Sequence, residues 1–134
     1  MSTGGGHGGA APIDHDLLDD MRSYLARSDR FQGVEAKPED NPDALVCHFD
    51  TGFYPSTLEE VFLEFVWYRN NDFTVHYRED YTGGDAWECR WDRHPNSHND
   101  REHFHPGPDA SRVNARDETY PSDWRDVVER VLRE

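Results

Sequence analysis

LEEVFLEFVWYRNNDFTVHYREDYTGGDAWECRWD, residues 58–92, holds three apolar–polar alternations separated by two turn signals. In 58–68, Val61, Leu63, Phe65 and Trp67 recur with period two. Leu58, Val61, Phe62 and Phe65 would also satisfy a helical face. The aromatic and β-branched content decides for a long strand. Asn70-Asn71-Asp72 supplies a hairpin turn, because Asn and Asp tolerate left-handed backbone. Phe73, Val75 and Tyr77 then alternate with Thr74, His76 and Arg78, up to a second turn at Gly83-Gly84-Asp85. Trp87, Cys89 and Trp91 face a core, and Glu88, Arg90 and Asp92 face away from it. Three strands joined by tight turns predict an antiparallel meander.

Working outward, 44–50 alternates Leu45, Cys47 and Phe49 against Val46, His48 and Asp50, as a further strand does. Residues 31–36 are β-compatible, either a first strand or a connection. Leu17, Leu18, Met21, Tyr24 and Leu25 form a helical stripe. Asp14 is placed to cap that helix, which is expected to end near Arg27 and Ser28. Residues 1–12 are a Gly-rich tail expected to be disordered, with His7 incidental within it. Towards the C-terminus, 112–115 is a candidate edge strand. Ser122 is the expected N-cap of a last helix that buries Trp124, Val127, Val128, Val131 and Leu132. The reading is one α+β domain over 13–134: an antiparallel sheet, a meander of three to five strands, packed by an N-terminal and a C-terminal helix.

Composition narrows the class. No run approaches 18 apolar residues, so no membrane span is expected. The N-terminus lacks the basic and apolar regions of a secretory signal, and the expected location is cytoplasmic. Cys47 and Cys89 have no metal-type spacing and read as buried free thiols rather than a disulfide. The chain carries 28 acids, a single lysine (Lys37) and a formal net charge of −14. Such an acidic, lysine-poor composition resembles that of halophilic proteins from salt-accumulating haloarchaea. Ordinarily it would argue against a nucleic-acid partner. At molar salt the Debye length falls to about 3 Å, so local contacts rather than net charge decide partners.

Candidate chemistry concentrates in WECRWDRHPNSHNDREHFHPG, residues 87–107. Four of the eight histidines lie here, His94, His98, His103 and His105, among arginines and acids. Imidazole alone among side chains changes charge near neutrality without perturbation. Strand parity puts His76, Arg78, Arg90 and Asp92 on one polar sheet surface if their strands are neighbours. The segment beginning at His94 can fold over that surface. The site so assembled is His76, Arg78, Arg90, Asp92, His94, His103 and His105, with His98 in reach. It suits acid–base cleavage of a phosphodiester without a metal: one imidazole as base, one as acid, arginines on the developing charge. Two other readings stay open. His103 and His105, two residues apart in an extended chain, suit ligation of zinc or another divalent metal. An Arg/Asp lattice on an exposed sheet is also what a solvated salt-bridge network looks like, in a non-enzymatic interaction protein of a haloarchaeal operon. His48 reads as structural.

The run W-E-C-R-W-D-R-H-P followed by H-F-H-P-G resembles the TumE-like toxins of toxin–antitoxin modules. His76 and Tyr77 in H-Y-R-E, Arg90, Trp91 and Asp92 in R-W-D, His94, and His103 and His105 in H-F-H carry the resemblance. It runs from about Val66 to Leu132. Position 93 is Arg where the family motif has Asn. The resemblance implies a toxin with ribonuclease-type activity, an RNA substrate and a cognate antitoxin protein.

Overall fold

The structure, a computed structural model, describes residues 11–94 and 102–133. Its seven strands are β1 (Phe31–Lys37), β2 (Ala44–Phe49), β3 (Leu58–Trp67), β4 (Phe73–Tyr81), β5 (Ala86–Arg93), β6 (Glu102–His105) and β7 (Arg116–Asp117). They form one antiparallel sheet in which each strand pairs with its neighbour in sequence. The helices are α1 (His15–Ala26) and α2 (Trp124–Arg133). The class is α+β, as expected, and the sheet is larger than the three to five strands predicted. The first segment is a true strand rather than a connection.

Residues 58–67 obey period two. Val61, Leu63, Phe65 and Trp67 are buried, and the residues between them are partly exposed. The turn after β3 uses Asn71 at φ 71°, and Asn70 Oδ1 accepts from the Asp72 amide at 3.1 Å. The turn after β4 uses Gly83 and Gly84 at φ 92° and 94°, which only glycine adopts without steric cost. Register then fixes the core. Phe65, Val75, Trp91 and Phe104 stand in one row across four strands, and Leu63, Tyr77 and Cys89 in another.

Both helices cover this face. Leu18, Met21 and Leu25 of α1 and Val127, Val128 and Val131 of α2 belong to the same buried cluster as those rows. Each such side chain is worth about 1.5–3 kcal/mol when fully buried. Asp14 caps α1 through a hydrogen bond from the Leu17 amide at 3.0 Å. The helices meet where the Tyr24 ring sits edge-on to Trp124 at 5.4 Å and its hydroxyl donates to Glu129 at 2.6 Å. Cys47 and Cys89 are both free and buried, and burial pushes the Cys47 thiol up to about 12.

Several local expectations need correcting. The edge strand is Arg116–Asp117, because 112–115 is taken up by a turn closed from the Ala115 amide to the Arg112 carbonyl. Asp123, not Ser122, caps the first turn of α2: its carboxylate accepts from the Arg125 amide at 2.8 Å. The Ser122 carbonyl instead accepts from the Asn71 side chain at 2.7 Å. Trp124 and Leu132 are only half-buried, at the ends of α2. Trp87 lies on the core face by parity but near the end of β5, and it is 38% exposed, packed against Tyr77.

Arg93, which stands where the family motif has Asn, is the last residue of β5 and is nearly buried. Its Nε donates to Glu102 at 3.0 Å, Nη1 to the Asn71 carbonyl at 3.0 Å, and Nη2 to the carbonyls of Tyr120 and Pro121. One guanidinium thereby ties the first hairpin turn, β6 and the approach to α2 together, with its carbon 5.0 Å above the Phe73 ring.

Candidate functional site

The sheet face opposite the helices carries the polar residues. Its central row runs Glu64, His76, Arg90 and His105 across β3 to β6. The next row runs Val66, Thr74, Asp92, His103 and Asp117 across β3 to β7. The parity argument made from β4 and β5 thus extends to β6. His103 and His105 point to this face, and Phe104 between them packs on Trp91 in the core at 5.5 Å.

Five side chains converge on this face. Asp92 Oδ2 accepts from Arg90 Nε at 2.8 Å. The same oxygen stands 3.0 Å from His105 Nε2, 3.4 Å from His103 Nε2 and 3.5 Å from His94 Nε2. The imidazoles stack edge to face, 5.0 Å from His94 to His103 and 4.8 Å from His103 to His105. Asp92 and His103 are fully buried and His105 nearly so, whereas the side chains of His94 and Arg90 are 29% and 35% exposed. The site is layered: a carboxylate and two imidazoles below, one imidazole and one guanidinium at the surface.

Burial alone would raise the Asp92 carboxyl. Contacts from His103, His105 and His94, with the charge of Arg90, outweigh that and hold it well below the usual carboxylate range. Asp92 is therefore ionised, and its negative charge orients the rings around it. The Tyr120 hydroxyl donates to the His103 carbonyl at 2.7 Å and fixes the backbone of β6.

His76 and Arg78 form a neighbouring group. His76 Nε2 is 2.6 Å from Glu88 Oε1, and Arg78 donates to Asp80 at 2.8 Å and to Glu88 at 3.4 Å. Among the seven residues singled out from sequence, five meet around Asp92, and two share the face but are engaged with carboxylates of their own. His98 lies outside the described residues. Glu88 was not among the candidates, although its parity on β5 places it beside His76. The Ser111 carbonyl, 3.3 Å from His105 Nδ1, carried no signal in sequence, since any residue supplies a carbonyl. His48 stands apart on β2, 3.4 Å from Glu35.

Asp92, His103 and His105 each offer one metal-ligand atom, and these three lie within 4.8 Å of one another. Among the described residues no helix is long and apolar enough to cross a membrane. No curated protein and no solved structure matches the chain. The family model described as Toxin TumE matches residues 18–134. That match reaches well upstream of the motif-bearing half and takes in α1 from Leu18 onward. With the R-W-D and H-F-H residues gathered at one carboxylate and the match covering most of the sequence, this chain belongs to the TumE toxin family.

Proposed function

We propose that this protein is the toxin of a two-gene toxin–antitoxin module, held in check by a cognate antitoxin protein, and that it cleaves RNA in the cytoplasm. The observation that carries the reading is the position of Arg90. It is directly opposite His76 on β4, hydrogen-bonded to Asp92, and exposed beside His94. Facing strand residues bring their Cβ atoms to about 4.5–5.5 Å. A phosphate held by the Arg90 fork therefore has an imidazole in reach on two sides.

In this reading one imidazole takes the proton of the ribose 2′-hydroxyl as that oxygen attacks phosphorus. The other gives a proton to the departing 5′-oxygen, and the chain breaks with a 2′,3′-cyclic phosphate on one fragment. Arg90 donates to the phosphate oxygens as charge builds on them. His76 and His94 reach solvent and are assigned the proton transfers. Asp92, His103 and His105, buried beneath, hold His94 and Arg90 in place. Arg78 holds Glu88, which in turn orients His76. The chain's strong negative charge is compatible with RNA only where salt screens it, so activity belongs to molar salt.

The test is cleavage of a defined RNA by purified protein in molar salt, with end-group analysis of the fragments. Wild type is expected to leave 2′,3′-cyclic phosphate ends, and a 2′-deoxy substitution at the scission site is expected to block the reaction. His76→Ala and His94→Ala should each slow cleavage by about 100-fold or more. A wild-type protein that arrests growth yet leaves RNA intact would overturn the ribonuclease assignment.

A further inference from the structure

The buried layer of the site has a property that proton transfer at the surface does not use. Its ligating atoms are two imidazole nitrogens and one carboxylate oxygen, fixed by adjacent antiparallel strands. Asp92 on β5 is the register partner of His103 on β6, and His105 is two residues further along the same strand. Backbone hydrogen bonds rather than side-chain torsions thus set the spacing.

The distances are those of a ligand set. Zinc binds imidazole and carboxylate at about 2.0–2.2 Å, so neighbouring ligands of a tetrahedral ion stand about 3.3 Å apart. Asp92 Oδ2 is 3.0 Å from His105 Nε2 and 3.4 Å from His103 Nε2, and the three atoms fall within 4.8 Å. Asp92 Oδ1 has no hydrogen-bond partner among the described residues and remains available as a second donor.

The outer contacts of His105 point the same way. Its Nε2 is 3.2 Å from Arg90 Nη2. Its Nδ1 faces the Ser111 carbonyl at 3.3 Å. This is the arrangement in which an outer carbonyl fixes the tautomer of a metal-ligating imidazole. Arg90 is the outer partner of the ligating carboxylate. Its own charge opposes a second cation, but the group is partly exposed and screened by solvent.

We propose that Asp92, His103 and His105 bind one divalent transition-metal ion of the zinc class. Nitrogen donors in a dry pocket disfavour magnesium and calcium, which take oxygen ligands. His76 with Glu88 is not an equivalent site, because it offers one imidazole and a carboxylate shared with Arg78. The ion would lock β6 to β5 beneath the surface imidazoles. Binding is read without RNA, so this inference and the ribonuclease reading can fail separately.

The experiment strips the purified full-length protein with a chelator and titrates zinc in competition with a chromophoric chelator. Cobalt(II) serves as a spectroscopic substitute. One equivalent per chain is expected, with the visible bands of a low-symmetry cobalt site. His103→Ala and His105→Ala should weaken zinc binding by more than about 100-fold, beyond the loss typical of an outer-sphere change. His48→Ala should leave it unchanged. Histidine ¹⁵N resonances of the wild type give a reading that needs no variant: zinc should move those of His103 and His105 and spare His48. Absence of stoichiometric binding, or a zinc-induced shift confined to His76, would overturn the assignment.

Discussion

Arg93 Nε lies 3.0 Å from Glu102 Oε2, its register partner across the β5–β6 pair. Glu102 also accepts from the Tyr120 amide at 3.0 Å, so the pair joins two strands and the approach to α2. Arg93→Ala is expected to destabilise the fold by about 3–5 kcal/mol, the usual consequence of leaving a buried partner group uncompensated. Arg93→Lys should cost nearly as much, since an ammonium cannot reach several carbonyls in a fork. Chemical denaturation in molar salt measures both. A change below 1 kcal/mol in either would show that the clamp is dispensable.

The residues around Asp92 should control growth arrest. His103→Ala and His105→Ala are each expected to abolish toxicity in cells while circular dichroism shows the fold retained. Arg90→Lys should also be severely impaired, because lysine loses the bidentate fork. Growth arrest that persists in the His103/His105 double variant would refute the assignment of this cluster.

Val128 is fully buried under the sheet, and Val113 is 90% exposed. Val128→Asp introduces an unpaired charge into the core and should cost about 3–5 kcal/mol. Val113→Asp should change stability by less than about 0.5 kcal/mol. Melting temperatures that respond equally to the two would mean α2 does not close the core.

Burial holds the Cys47 thiol protonated, with its pKa raised to about 12. A raised pKa means that the thiol stays neutral from pH 7 to 9 and that thiolate appears only above that window. In a Cys89→Ser background, a thiol reagent at pH 8 should label Cys47 at the rate of unfolding. Rapid labelling of folded protein would contradict the packing around β2.

Stability should fall as salt is lowered, because 28 acids repel one another once screening is removed. Denaturation midpoints across a salt series measure this. Equal stability in dilute and molar salt would remove the halophilic reading of the composition, and with it the reason for discounting the net charge against an RNA partner.

The central strands were legible because their period of two was strong and their turns carried Asn, Asp and Gly where left-handed backbone is needed. The same parity put His76, Arg90 and Asp92 on one face and extended to His103 and His105. What parity cannot give is depth. Asp92 and His103 alternate as surface residues do, yet they are buried, with the Arg90, His94 and His105 side chains gathered around the Asp92 carboxylate. Trp87 shows the reverse: it occupies a core-facing position near a strand end and is exposed. Parity also does not choose partners, so Glu88 drew His76 and Arg78 away from the Asp92 group. The capping error at α2 has a local cause, since the Ser122 backbone is held by Asn71 and the next residue takes over the cap.

The order of strands in the sheet is also the order in which the ribosome makes them. β1 to β5, with Arg90 and Asp92, are complete before the imidazoles of β6 are translated, and α2 follows last. A domain folds as a unit, so the sheet and its site close only when the last strands and α2 join the core. The Asp92 cluster is therefore completed by the last-made part of the chain: His103 and His105 reach Asp92 only when β6 pairs with β5.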